Sequence, residues 1–102
     1  MTSTVRKLPV KIKTIKLDKE WEGWEFTART NVKIKVFSKV SSGDIDKMIE
    51  GMSSIIQSWN FVDEEGDDMP PPSEDTIGDL TVDLLTAVSN AYVKELTDLP
   101  SV

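Results

Sequence analysis

The densest set of groups that could do chemistry is the acidic stretch 63–68, which holds five carboxylates around Gly66. Closely spaced carboxylates suit calcium, and an EF-hand loop needs acidic or amide residues at positions 1, 3 and 5, glycine at 6 and glutamate at 12. With Gly66 at position 6, Phe61 falls at position 1 and Pro72 at position 12. The calcium pattern fails, and the sequence instead predicts a solvated, hairpin-like loop.

Catalytic residue types are scarce. The chain has 18 Asp and Glu but no His and no Cys, so it lacks the commonest general base and any thiolate nucleophile or ligand. Paired carboxylates alone do not make an acid–base site, because catalysis needs a pocket that separates their pKa values. The five glycines are scattered and form no phosphate-binding loop. We therefore expect a protein that is not an enzyme and that has no cofactor and no metal.

Six lysines in the first 40 residues could line one sheet face beside Trp21 and Trp24, as on a nucleic-acid stacking platform. They are Lys11, Lys13, Lys16, Lys33, Lys35 and Lys39. A chain with a net charge of −6 and an isoelectric point near 4.6 repels a phosphate backbone over most of its surface. We interpret the lysines as residues that solvate the sheet and protect its edge strands, and we expect no nucleic-acid partner.

The net charge of −6 hides a strong asymmetry. Residues 1–40 carry 10 basic and 4 acidic side chains, whereas residues 41–102 carry 2 basic and 14 acidic ones. A charge difference of this size between two segments points to a binding partner, and it also permits head-to-tail self-association. The 38% hydrophobic content is ordinary for a globular domain. No apolar run approaches the length of a membrane span, so we expect no membrane partner.

The basic part, residues 8–37, is predicted to form three antiparallel strands. Apolar and polar residues alternate in 10–14, 24–29 and 32–36, which is the period-2 pattern of half-buried strands. The third of these contains Val32, Ile34 and Val36 between Lys33 and Lys35.

The acidic part, residues 41–102, is predicted to be helical. A first amphipathic helix is expected over 41–60, with Ser41 and Asp44 in capping-box spacing. Residues 61–73 are an acidic, proline-containing loop, because acids, glycine and three prolines cannot continue a helix. Residues 74–98 give a helical turn and then a second long helix that begins near Thr81. The whole chain, 1–102, is interpreted as one α+β domain: a small antiparallel three-stranded sheet followed by two amphipathic helices.

The first helix has two apolar edges with different compositions. Ile45, Ile49 and Ile56 form one edge, which we assign to the core. The other edge is rich in Met and aromatic residues, and such surfaces adapt to varied partners. The candidate partner-binding residues are therefore Trp21, Trp24, Met48, Met52, Ile55, Trp59 and Phe61, with packing in the core as the alternative role for each of them.

The order of several segments resembles the small tail assembly chaperones of long-tailed (siphovirus-type) phages and prophages. The segments are the run 17–31 (LDKEWEGWEFTARTN), the helix start Ser42-Gly43-Asp44, the run 58–66 (SWNFVDEEG), a proline-containing loop and a closing helix around Leu84. The likeness extends from about Lys11 to Leu99. Val32 and Thr81 stand where such proteins often have proline.

This resemblance implies a role in virion morphogenesis. Such chaperones bind the tape measure protein, a very long and largely helical chain, and keep it soluble while tail tube subunits polymerise around it. They act in the cytoplasm of the bacterial host and are not expected in the mature virion. Many also exist in a frameshifted, extended form that recruits the tail tube protein, so that protein is a further possible partner.

A structural phage protein is the alternative from another class. In a tail-completion or head–tail joining protein, the positive and negative parts of the chain could pack head to tail into rings, giving a homo-oligomer. A joining protein stays in the virion, whereas a chaperone leaves it.

Overall fold

The computed structural model describes Arg6 and residues 9–97. Three strands form one antiparallel sheet in the order β1-β2-β3, and the helices pack against one face of that sheet. This architecture is the α+β fold with a small antiparallel sheet that the sequence predicts. In chain order, the elements are β1 (Ile12–Lys16), β2 (Glu25–Arg29), α1 (Ile34–Val40), α2 (Ile45–Ile55), β3 (Ile56–Trp59), α3 (Glu74–Gly78) and α4 (Val82–Thr97).

β1 and β2 form a hairpin whose side chains separate by face. Ile15 lies opposite Phe26, and both side chains are buried beneath the helices. Thr14 lies opposite Thr27 on the other face of the sheet, which no helix covers in the described residues. The alternation follows from the period-2 geometry of a strand. A short 3₁₀ turn, Lys19–Trp21, joins the two strands.

The predicted third strand, 32–36, is wrong, because the chain forms helix α1 there. The alternation that suggested a strand placed Ile34 on a buried face, yet its side chain is 86% exposed. The residues that pack inward are Val36, Phe37 and Val40, whose spacing fits a helix instead. The predicted basic β part, 8–37, therefore ends at β2.

The predicted helix over 41–60 is also too long at both ends. Ser41 ends α1, and Asp44 is the residue that caps α2, accepting a hydrogen bond from the backbone N–H of Lys47. At the other end, the chain leaves the helix at Ile56 and continues as β3. β3 pairs with β2, so that Trp59 lies opposite Phe26. The third strand of the sheet thus comes from the end of the predicted helix.

Gly51 lets α1 and α2 pack closely. A Cβ atom at this position would lie 2.9 Å from Cγ2 of Val40 and 3.3 Å from its backbone nitrogen. Both distances are shorter than ordinary carbon contacts. Glycine at position 51 lowers the helix propensity by about 1 kcal/mol relative to alanine, but it allows the two helices to form a close helical hairpin. The Lys39–Glu50 ion pair (2.7 Å) also joins the two helices.

α4 lies against the sheet and the helical hairpin. Its Tyr92 hydroxyl donates a hydrogen bond of 2.6 Å to the carbonyl oxygen of Arg29 at the end of β2. The Ser89 hydroxyl donates to the carbonyl oxygen of Val40 at 3.0 Å. Glu95, which falls among the apolar residues of this helix in the sequence, forms an ion pair with Lys13 on β1. α4 is thereby fixed to both β1–β2 and α1.

The loop over 61–73 has the hairpin-like form that the sequence predicts. Val62 and Asp68 form an isolated antiparallel bridge, and the backbone N–H of Asp63 donates to the carbonyl oxygen of Asp67 at 2.8 Å. Ser73 and Thr76 then form a capping box that begins α3. The predicted helical segment 74–98 contains α3 and α4, and its last residue lies outside the described residues.

Candidate partner-binding site

An apolar groove runs along one side of α4, with a volume of about 610 Å³. One wall is α4 itself, from Val82 to Thr97, and the other is the end of α1 together with the start of α2. Fifteen residues separate the two ends of the α4 wall, which corresponds to a length of about 22 Å at 1.5 Å per residue. The groove is thus long and open, which is the shape expected for a site that holds an extended or helical segment.

The floor of the groove is buried and its rim is exposed. Val40, Met48 and Leu85 form the floor and are at most 8% exposed. At the rim, the side chains of Ile45 and Val82 are 48% and 67% exposed. Large exposed apolar side chains beside an apolar channel mark surfaces that bind other molecules.

Local hydrogen bonds fix the position of Ile45. The Ser42 hydroxyl accepts from the backbone N–H of Asp44 at 3.1 Å, and Gly43 takes a left-handed backbone conformation with φ 80°. This turn ends at the capping residue Asp44, so Ile45 becomes the first residue of α2. Because a first-turn residue has few neighbours from its own helix, its side chain stays exposed.

Val82 occupies the equivalent position in α4. The Thr81 hydroxyl accepts from the backbone N–H of Leu84 at 3.4 Å, and an oxygen of the Asp83 carboxylate accepts from the same N–H at 3.1 Å. Hydrogen bonding to the Thr81 side chain, and more weakly to backbone N–H groups, lowers the pKa of Asp83. These contacts fix the beginning of α4 at Val82.

The predicted binding residues separate into two groups, those on α2 and the aromatic residues. The expected core edge of α2 is partly right, because Ile56 is buried and Ile49 packs against the core. Met48, Met52 and Ile55 are buried, and only Met48 reaches the groove. Ile45, which we assigned to the core, is instead exposed at the rim. Met52 and Ile55 belong to the buried core and do not line the groove, so Met48 is the residue of the predicted Met-rich edge that remains a candidate contact for a partner.

The four aromatic residues among the predicted binding residues form a cluster at the far end of the sheet. Phe61 is 1% exposed at its centre, stacked on Trp59 with ring centroids 4.8 Å apart and tilted against Trp24 at 5.4 Å. Trp21 meets Trp24 edge-on at 5.2 Å. Phe61 is therefore a core residue, whereas the three indoles remain partly exposed.

Three hydrogen bonds hold this aromatic cluster together. The indole N–H of Trp59 donates to the carbonyl oxygen of Pro70 at 3.0 Å. The side chain of Asn60 accepts from the backbone N–H of Glu25 at 2.8 Å and donates to the carbonyl oxygen of Gly23 at 2.9 Å. These contacts engage Trp59 within the chain itself, so the cluster stabilises the fold and is a weaker binding candidate than the groove.

The lysines considered as a nucleic-acid platform do not share one face. Lys11, Lys13 and Lys16 belong to β1 or to the residue before it, whereas Lys33, Lys35 and Lys39 belong to α1 or precede it. Within residues 9–97, no group of three or more acidic side chains is placed to hold a metal ion. No helix in this part of the chain is long and apolar enough to cross a membrane.

Sequence reasoning missed the rim residue Val82 and placed Ile45 on the wrong face. The signal that could have found them is the position directly after a capping residue, Asp44 or Thr81. An apolar side chain there lies beyond the packed turns of its helix. Comparison of the chain with protein-family models, with curated proteins and with solved structures found no match.

Proposed function

We propose that this chain is a tail assembly chaperone of a long-tailed phage or prophage. In this role it binds an amphipathic helix of the tape measure protein in the groove along α4 and keeps that client soluble while the tail tube assembles. The observation that carries the proposal is the open apolar groove with Ile45 and Val82 exposed at its rim. The resemblance of the sequence to this class of chaperone supports it.

The dimensions of the groove suit a helical client. A wall of about 22 Å accommodates about four turns of helix, and the apolar floor would face a stripe of residues at positions i, i+3, i+4 and i+7 of the client. Residues 41–102 carry 14 acidic and 2 basic side chains, and this excess of negative charge would keep a complex with an otherwise insoluble partner in solution.

Co-expression with the tape measure protein from the same genome tests the proposal. Ile45→Gln combined with Val82→Gln removes the apolar rim. Full burial of such a side chain contributes about 1.5–3 kcal/mol, so losing two partly buried contacts should weaken binding by about 2–3 kcal/mol, or roughly 30- to 150-fold. We expect the double variant to lose client co-purification while its thermal stability stays near that of the parent.

Ile34→Gln is the matched control. Ile34 is also the first residue of a helix and is 86% exposed, but it lies outside the groove. We expect this variant to bind the client like the parent. The proposal fails if the parent does not co-purify with the tape measure protein, or if the control and the rim variant lose the client equally.

The alternative, a tail-completion or head–tail joining protein, is favoured by the separation of charge along the chain. Mass spectrometry of purified virions distinguishes the two. The chaperone is proposed to act in the bacterial cytoplasm and to be absent from the virion, whereas a joining protein would be present at a fixed copy number.

A further inference from the structure

β1 is an edge strand whose outer backbone groups have no partner in the described residues. The N–H of Leu17 donates to Trp24 and the N–H of Thr30 donates to Lys11, both at 2.9 Å. Odd-numbered residues of β1 therefore bond to β2, and by the alternation of an antiparallel ladder the backbone groups of Ile12 and its even-numbered neighbours point away from the sheet.

The side chains along this edge combine exposed apolar and basic groups. Val10 and Ile12 are 64% and 54% exposed, and Lys11 and Lys16 are exposed beside them. Exposed apolar residues favour burial in an interface. The lysines disfavour pairing of two identical β1 edges, because like charges would meet. A partner for this edge should therefore be acidic.

The opposite edge of the sheet carries an acidic group. β3 lies at the other end of the strand order, and the hairpin at residues 62–68 follows it closely. This hairpin has five carboxylates and no basic residue. Its shape is fixed, because the N–H of Gly66 donates to the carbonyl oxygen of Asp63 at 3.0 Å, and the Asp63 carboxylate accepts from the backbone N–H groups of Glu65 and Asp67 at 2.9 Å.

We infer that copies of this chain associate head to tail, with the acidic hairpin of one copy docked on the β1 edge of the next. The charge complementarity of two opposite edges gives a heterologous contact, in which each copy offers both a basic and an acidic surface. Val10 and Ile12 are covered in this contact. The groove along α4 is formed by other residues, so the inference does not depend on the proposed function.

Sedimentation velocity over a range of protein concentrations tests the inference. At about 0.01 M salt, where the Debye length is about 30 Å, we expect the weight-average sedimentation coefficient to rise with protein concentration. At about 1 M salt, where the Debye length is about 3 Å, we expect monomers at all concentrations. A parent protein that remains monomeric at low salt overturns the inference.

Charge reversal identifies the two surfaces. Lys11→Glu with Lys16→Glu makes both surfaces acidic. Glu64→Lys with Glu65→Lys leaves three carboxylates and adds two ammonium groups, so the charge of the hairpin falls from −5 to −1. Each double variant alone should associate at least about tenfold more weakly than the parent. An equimolar mixture of the two should recover a one-to-one complex, because the unchanged hairpin of the first variant meets the unchanged β1 edge of the second.

Asp75→Lys with Asp79→Lys is the control for net charge, since it makes the same change of charge on and just after α3. We expect it to associate as the parent does. The inference is overturned if either reversed variant associates like the parent, if the equimolar mixture stays monomeric, or if the α3 control loses association to the same extent as the hairpin variant.

Discussion

Gly51→Ala tests the close contact between α1 and α2. Helix propensity predicts that this substitution raises the free energy of unfolding, whereas the steric contact predicts that it lowers it. The new Cβ would lie 2.9 Å from Cγ2 of Val40 and 3.2 Å from Cβ of Lys39. Val40 is fully buried, and its carbonyl oxygen accepts a hydrogen bond from Ser89 on α4. The new Cβ would also lie 3.3 Å from the backbone nitrogen of Val40, so rotation of the Val40 side chain cannot relieve the whole contact, and α1 must move relative to α2 and α4.

The expected change in the free energy of unfolding is the difference between a gain in helix propensity and the cost of the added methyl group. Replacing a glycine within a helix by alanine stabilises the helix by about 1 kcal/mol, whereas forcing a methyl group into a packed core costs about 1–3 kcal/mol. Because the contact involves the backbone of Val40 as well as its side chain, we expect the upper part of that range. The free energy of unfolding should fall by about 1–2 kcal/mol.

Urea denaturation followed by tryptophan fluorescence and by far-ultraviolet circular dichroism measures this change. With a denaturant slope of about 2 kcal/mol per molar urea, the midpoint should fall by about 0.5–1 M. Gly78→Ala is the matched control, since Gly78 ends helix α3 and a Cβ there meets no atom within 4 Å. The control should be neutral or slightly stabilised.

A double variant separates steric clash from other causes. Val40→Ala removes the methyl group that the new Cβ would meet, so Gly51→Ala should destabilise the Val40→Ala background less than it destabilises the parent. If Gly51→Ala raised the midpoint by the amount expected from helix propensity alone, the contact between α1 and α2 described above would be incorrect.

Two further predictions concern buried or bridging polar groups. Asn60→Ala should lower the free energy of unfolding by about 1–3 kcal/mol, because it removes two hydrogen bonds, one to β2 and one to the turn before it. Asn60→Asp keeps only the acceptor and should lower the free energy of unfolding by about half as much in the same denaturation experiment. Tyr92→Phe should cost about 1–2 kcal/mol at neutral pH. Burial raises the pKa of Tyr92 to about 12, against about 10 in an unfolded chain. The stability that its neutral hydroxyl contributes is therefore complete below about pH 10 and is lost as the pH rises through about 12. Denaturation at several alkaline pH values should show that the free energy of unfolding falls less steeply with pH in Tyr92→Phe than in the parent.

Elements with one dominant periodicity were predicted correctly from the sequence. α4 and β2 each have a single apolar period over their length, and the acidic loop contains residues that cannot continue a helix. The confusion of α1 with a strand has a physical cause, because Val32, Ile34 and Val36 alternate with lysines while Val36, Phe37 and Val40 also fit a helix. In the structure, Val40 packs on Gly51, which lies 11 positions further along the chain, and this contact is not visible in the local pattern of 32–40.

The end of α2 could not be predicted for a related reason. Ile56 and Trp59 continue the helical spacing of the residues before them, but pairing with β2 satisfies their backbone groups in an extended conformation. The orientation of α2 was likewise decided by its neighbours: both edges of the helix are apolar, and the sequence does not say which one the sheet, α1 and α3 will cover. The candidate groove was therefore visible only in the structure.

The pairing of β2 with β3 across the α1–α2 hairpin has a consequence for synthesis on the ribosome. β1 and β2 can form their hairpin as soon as residue 29 has emerged, but the strand that covers the free side of β2 follows only after residues 30–55. During this interval β2 is an unprotected edge, a state in which nascent chains are prone to aggregate. The hairpin of α1 and α2, which is built from local contacts, can fold within the same interval. Because β3 follows α2 directly, folding of this hairpin brings β3 next to the unpaired edge of β2.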